Sequence, residues 1–156
     1  MSIQVGQAAP DFNLFDTEKN PVQLSAQKGN TVLLLFFPQS FTGVCTKELC
    51  SIRDNIATYN NAKATVYGIS VDSIFTLGKF KEEQNLNFTL LSDFNKEAST
   101  AFDCIYQDWI LGMKGVSKRS AFIIDGNGVV QYAEVLESAG DIPNFELINA
   151  KLKELA

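Results

Sequence analysis

Three cysteines, Cys45, Cys50 and Cys104, stand in a chain of 156 residues that contains no histidine. Without imidazole there is no Ser-His-Asp triad, no Cys-His dyad and no ordinary zinc or iron site, and three scattered thiols cannot close a four-cysteine cage. An odd cysteine count also argues against a structural disulfide framework and leaves at least one thiol free. The nucleophilic form of a free thiol is the thiolate, which backbone dipoles or nearby cations must favour when no imidazole is available.

Cys45 has such surroundings. Apolar side chains recur from it at Leu49, Ile52, Ile56 and Tyr59, the stripe of one helix. Cys45 begins that stripe, where unpaired backbone N–H groups and the positive end of the helix dipole favour an anion. The same place equally suits a small hydrophobe on a buried helix face. Thr42 lies three residues earlier and Pro38 four before that. The Thr42 hydroxyl can accept from a backbone amide as a helix N-cap, and it can donate toward a thiolate or the oxygen that a thiolate attacks.

The elements that must position these residues read in order. Residues 31–37 are apolar almost throughout and end at Pro38, which suits a central strand covered on both faces. The helix from Cys45 follows, then a strand at 65–71, so the strand-helix-strand should close as a right-handed crossover between parallel strands. Asp72 and Ser73 offer N-caps for a helix over 74–84. A short strand at 88–91 and a short helix at 95–102 come next, and residues 103–117 carry no readable period. Residues 121–124 and 129–135 flank Asp125-Gly126-Asn127-Gly128, the turn of an antiparallel hairpin. Pro143 is expected in the first turn of a last helix with Phe145, Ile148, Leu152 and Leu155 on its apolar stripe. Near the start, 13–16 and 21–24 form a small additional hairpin around Thr17-Glu18-Lys19-Asn20.

That order predicts an α/β fold of one domain over residues 1–156, with a mixed sheet packed between helices in a thioredoxin-like arrangement. Reactive crevices in open α/β sheets lie beyond the carboxyl ends of strands, where residues 38–45 fall. Hydrophobic residues make up 46% and charged residues 20% of the chain, a soluble globular composition without an apolar run long enough to span a bilayer. Thirteen basic residues against eighteen acidic, with no basic cluster, make nucleic acid and anionic membrane poor partners. The first residues carry no secretory signal, so the expected location is cytoplasmic.

The segment Phe36-Phe37-Pro38-Gln39-Ser40-Phe41-Thr42-Gly43-Val44-Cys45 resembles the active-site signature of the peroxiredoxins: proline, three residues, threonine, two residues, cysteine. Ala9-Pro10-Asp11-Phe12, Leu91-Ser92-Asp93 and Arg119-Ser120-Ala121-Phe122-Ile123-Ile124-Asp125 are similar to other stretches of that family, in matching order. The resemblance implies a thioredoxin-like fold with an extra N-terminal hairpin. It also implies a thiol-dependent peroxidase that reduces hydrogen peroxide and organic hydroperoxides through a cysteine sulfenic acid, in antioxidant defence. Cys45 would be the peroxidatic thiol, with Pro38 shielding it, Thr42 hydrogen-bonding the peroxide and Arg119 supplying a cation. No metal, haem, flavin or selenium is needed, and the electrons return from a thiol reductant such as thioredoxin or a glutaredoxin-type protein. A homodimer built from loops near the site would use Phe41 and Trp109 as contacts, though both could be core aromatics.

Bland alternatives stand beside these roles. Arg119 taken alone reads as a solvated charge at a strand end, Glu48 as an exposed helix carboxylate rather than a partner for that guanidinium, and Cys104 as a buried small residue. Two subtypes within the family also diverge. Phe-Phe-Pro with Phe-Thr-Gly-Val-Cys is most similar to the bacterial alkyl hydroperoxide reductase E type, which relies on an external thiol. Cys45-Thr46-Lys47-Glu48-Leu49-Cys50 resembles the bacterioferritin-comigratory-protein type, in which Cys50 resolves the sulfenic acid. Five helical residues rise about 7.5 Å and turn roughly 140°, whereas a disulfide tolerates at most about 7 Å between Cα atoms. Cys45 and Cys50 can therefore join only if the helix opens. A dithiol carrier on the same fold would want Cys-x-x-Cys, and these two cysteines are two residues too far apart for it. A non-enzymatic interaction module predicts nothing about Thr42 and Arg119.

Overall fold

A computed structural model describes residues 2–156. Its central strand is β3 (Thr31–Phe36), in which Leu33, Leu34, Leu35 and Phe36 have no solvent exposure. Each such side chain contributes about 1.5–3 kcal/mol when withdrawn from water, which makes β3 the anchor of the sheet. On one side it pairs in parallel with β4 (Ala64–Ser70), and β4 in parallel with β5 (Thr89–Ser92). On the other side it pairs antiparallel with β8 (Ser120–Ile124), itself antiparallel to β9 (Val130–Val135). The N-terminal hairpin, β1 (Asn13–Asp16) and β2 (Pro21–Gln23), extends the sheet beyond β5, giving the order β2-β1-β5-β4-β3-β8-β9. This is a thioredoxin-like α/β fold with a central mixed sheet flanked by helices.

Alternation along β3 sorts two cores. Leu33 and Leu35 face a cluster with Cys45, Leu49 and Ile52 of α1 (Gly43–Asp54), Leu77 and Phe80 of α3 (Ile74–Gln84), and Ile148 and Leu152 of α5 (Phe145–Leu155). Val32, Leu34 and Phe36 face the opposite cluster with Phe12, Leu24, Phe102 and Cys104. Gly68 of β4 packs closely against the first of these cores: a Cβ there would lie 2.7 Å from Leu90 Cδ2.

Several boundaries differ from the sequence expectation, for identifiable reasons. The single helix expected through Tyr59 is two, α1 and α2 (Ile56–Asn61). Asn55 breaks it by leaving helical geometry at φ −116° and ψ 23° while its side chain donates to the Ser51 carbonyl at 2.8 Å, a local bond that competes with the helix ladder. Both pieces still present the apolar stripe, with Cys45, Leu49, Ile52 and Tyr59 buried. Pro143 is outside α5, because Asn144 takes the cap position and its side chain accepts from Leu147 N at 3.1 Å. Ser73, rather than Asp72, caps α3 by accepting from Thr76 N at 3.2 Å. The expected helix at 95–102 is the single turn α4 (Glu97–Ala101). The unreadable segment holds β6 (Ile105–Tyr106) and β7 (Val116–Ser117), a separate two-stranded pair too short to show a period.

Candidate active site

Beyond β3, Phe37 N still donates to Ile69 O of β4 at 2.9 Å, and buried Pro38, which has no N–H, ends the pairing. The chain then turns through residues 39–42 into α1. Phe41 adopts φ 65°, a left-handed conformation that costs a non-glycine residue about 1–2 kcal/mol. Its ring packs edge-on against Phe80 with centroids 5.1 Å apart, a contact worth about 0.5–1.5 kcal/mol beyond its area. The two terms are of the same size, so the turn is held at little net cost. Phe41 nonetheless stays 49% exposed, and Trp109 is half-buried, stacked on Tyr106 at 6.0 Å. Neither is the enclosed core aromatic that was the alternative to a contact role.

Cys45 is the third residue of α1, inside the first turn whose amides lack helical partners. Thr42 occupies the N-cap position without capping: its side chain accepts from no helix amide, and its Oγ1 donates to Gln39 O at 2.8 Å. This corrects the expected N-cap bond. A hydroxyl has one proton and two lone pairs. With the proton given to Gln39, the oxygen is left as an acceptor, not as the donor toward sulfur or peroxide that the sequence reading allowed.

Arg119, just before β8, overturns its bland reading. It is 1% exposed, and its Nη2 donates to Cys45 Sγ at 3.0 Å across 74 residues of sequence. Nη1 donates to Glu48 Oε1 at 2.7 Å, and Nη2 also reaches the Ala139 carbonyl at 3.1 Å. Glu48 is fully buried, so its reading as an exposed helix carboxylate is overturned too. It stands one turn beyond Cys45 on the inward face of α1. Burial pushes its carboxyl up, to about 7, against the attraction and hydrogen bond of Arg119. Its Oε2 finds no hydrogen-bond partner among the described residues, which agrees with that direction. Burial opposes the charge on Arg119, yet Glu48 and Cys45 together hold its pKa above the ordinary arginine value.

The other thiols are elsewhere. Cys50 is half-buried with Sγ 3.5 Å from Gln84 Oε1, at the end of α3. Cys104 is fully enclosed in the opposite core, and burial drives its thiol pKa far upward. A thiol held neutral in this way is poorly suited to nucleophilic work. The sequence reading missed the Ala139 carbonyl altogether, since a backbone group leaves no residue-type signal. Among the described residues no cluster of His, Cys, Asp and Glu could hold a metal ion, and no helix is long and apolar enough to cross a membrane.

Residues 5–133 match the model of the AhpC/TSA family. The chain belongs to the peroxiredoxins. Peroxiredoxin Bcp of Bacillus subtilis is 38% identical over 129 residues, covering 82% of each protein. Among solved structures, peroxidoxin BcpB of Mycobacterium tuberculosis matches with a TM-score of 0.86 at 29% identity, covering 99% of both chains. A peroxiredoxin-like protein of Aquifex aeolicus matches with a TM-score of 0.90 at 25% identity, covering all of this chain and 90% of that one. Membership of the peroxiredoxins supports a thiol peroxidase in general terms. The hydrogen bond between Arg119 and Cys45 indicates which thiol to examine.

Proposed function

We propose that this peroxiredoxin reduces hydrogen peroxide and organic hydroperoxides at Cys45. The observation that carries the proposal is the 3.0 Å hydrogen bond from a buried guanidinium to the Cys45 sulfur. A charge-assisted donor fixed at the sulfur is also placed for the oxygens as charge develops on them.

The Cys45 thiolate attacks one oxygen of ROOH. The S–O bond forms as the O–O bond breaks, sulfur is oxidised to the sulfenic acid, and the departing RO⁻ takes a proton to leave as ROH. Thr42, with its own proton committed to Gln39, accepts from the peroxide O–H and so turns the substrate. Pro38 shields the sulfur from other reactions. Much of the rate comes from holding thiolate and peroxide in line.

Cys50 then resolves the intermediate: its thiol displaces hydroxide from the sulfenic sulfur, giving the Cys45–Cys50 disulfide and water. A thiol reductant of thioredoxin or glutaredoxin type returns the two electrons. The reading is tested by Cys45→Ser, which should abolish peroxide consumption with an unchanged unfolding transition. Retention of a tenth of the rate, only about 1.4 kcal/mol in barrier, would reject it.

A further inference from the structure

The turn that carries Thr42 is held from outside the reacting groups. Ser40 is 7% exposed, and both its backbone N, at 2.8 Å, and its Oγ, at 2.9 Å, donate to Oδ2 of Asp72. The same oxygen accepts from Ser70 Oγ at 2.7 Å. Asp72 is itself fixed at both ends: its N donates to Ser70 Oγ at 3.2 Å, and its carbonyl accepts from Ser92 Oγ at 2.6 Å. Asp72 thus joins the active-site turn to the end of β4 through its carboxylate and to the end of β5 through its backbone carbonyl. Charge-assisted bonds of this length are the strong class of hydrogen bond. Between the tethered Ser40 and α1 lie only Phe41, in its left-handed conformation, and Thr42, whose carbonyl accepts from Thr46 N at 2.9 Å but whose side chain caps no helix amide.

We propose that Asp72 is a positioning residue for the peroxide step, acting through Ser40 to set where the Thr42 oxygen stands. This rests on the reading of Cys45 and Thr42 given above. Asp72 makes no hydrogen bond to Cys45, Arg119 or Glu48 among those described. Its loss should therefore misplace Thr42 while leaving the sulfur and its guanidinium together.

The test is a double-mutant cycle on Asp72→Ala and Thr42→Val, reading the second-order rate of Cys45 oxidation by hydrogen peroxide. Asp72→Ala alone should slow oxidation about tenfold or more, since small displacements of an orienting group are expensive. In the Thr42→Val background it should cost less than about twofold, because two changes acting through one group do not multiply. Alkylation of Cys45 by iodoacetamide, which has no peroxide to orient, should stay within about twofold of wild type in Asp72→Ala. Ser40→Ala removes one bond and keeps the backbone one, so it carries the same cycle should Asp72→Ala fail to fold. Losses that multiply, or an alkylation rate that falls in step with oxidation, would overturn the assignment. A wild type that leaves peroxide untouched would overturn the reading of Cys45 as well, which separates the two failures.

Discussion

At the scale of single residues, the site joins one cation to two acids. Arg119 divides its donors between Cys45 and Glu48. Burial raises the Glu48 carboxyl against the attraction and hydrogen bond of Arg119. Because the folded chain holds this proton up to about 7 and the unfolded chain releases it near 4.5, the folded state binds more protons between those values. Glu48 therefore makes stability fall as pH rises through that window. Denaturant unfolding at its two ends should show wild type losing more stability than Glu48→Gln, and equal losses would mean that Glu48 ionises freely. Arg119→Met should slow Cys45 oxidation by about 10²–10³-fold, the usual cost of removing a donor aimed at developing charge. A stopped-flow rate within threefold of wild type would remove Arg119 from the mechanism. Cys45, Thr42 and Pro38 were legible because they are close in sequence and match a family pattern. The burial of Arg119 and Glu48 was not, because no local spacing records a contact made across 71 residues.

At the scale of elements, α1 has an uncapped beginning and a fastened end. Its first turn has no side-chain cap. Near its far end, Cys50 meets Gln84, Arg53 Nη1 donates to Gln84 O, and Asn87 Nδ2 donates to Arg53 O at 3.2 Å. For the proposed Cys45–Cys50 disulfide, α1 would open from its N-terminal side, at the expense of the Arg119–Cys45 hydrogen bond and of the core cluster that holds Cys45 and Leu49. After one equivalent of peroxide without reductant, intact-mass measurement should find wild type lighter by two hydrogens and Cys50→Ser heavier by one oxygen. If wild type accumulates the added oxygen with Cys50 still open to alkylation, an external thiol does the resolving. The helix itself was legible from its apolar stripe, but the break at Asn55 was not, since Asn55 lies off that stripe and acts through a side-chain bond to Ser51.

At the scale of the molecule, the apolar runs that became β3, β4 and β8 were readable because a strand covered on both faces leaves little choice of residue. Residues 103–117 were not, since β6 and β7 are two residues each and the turn between them includes Leu111 at φ 58° and 91% exposed. The sheet separates the three thiols: Cys45, with Cys50 packed against the same cluster, on one side, and Cys104 on the other. That separation gives the most direct test of Cys45 as the reacting atom. The reduced protein is treated with one equivalent of hydrogen peroxide, the remaining free thiols are alkylated, and peptides are mapped by mass spectrometry. Cys45 should be lost from the alkylatable pool in step with the peroxide consumed, while Cys104 remains fully alkylatable once the chain is unfolded. Peroxide consumed with Cys45 still fully alkylatable would contradict the account.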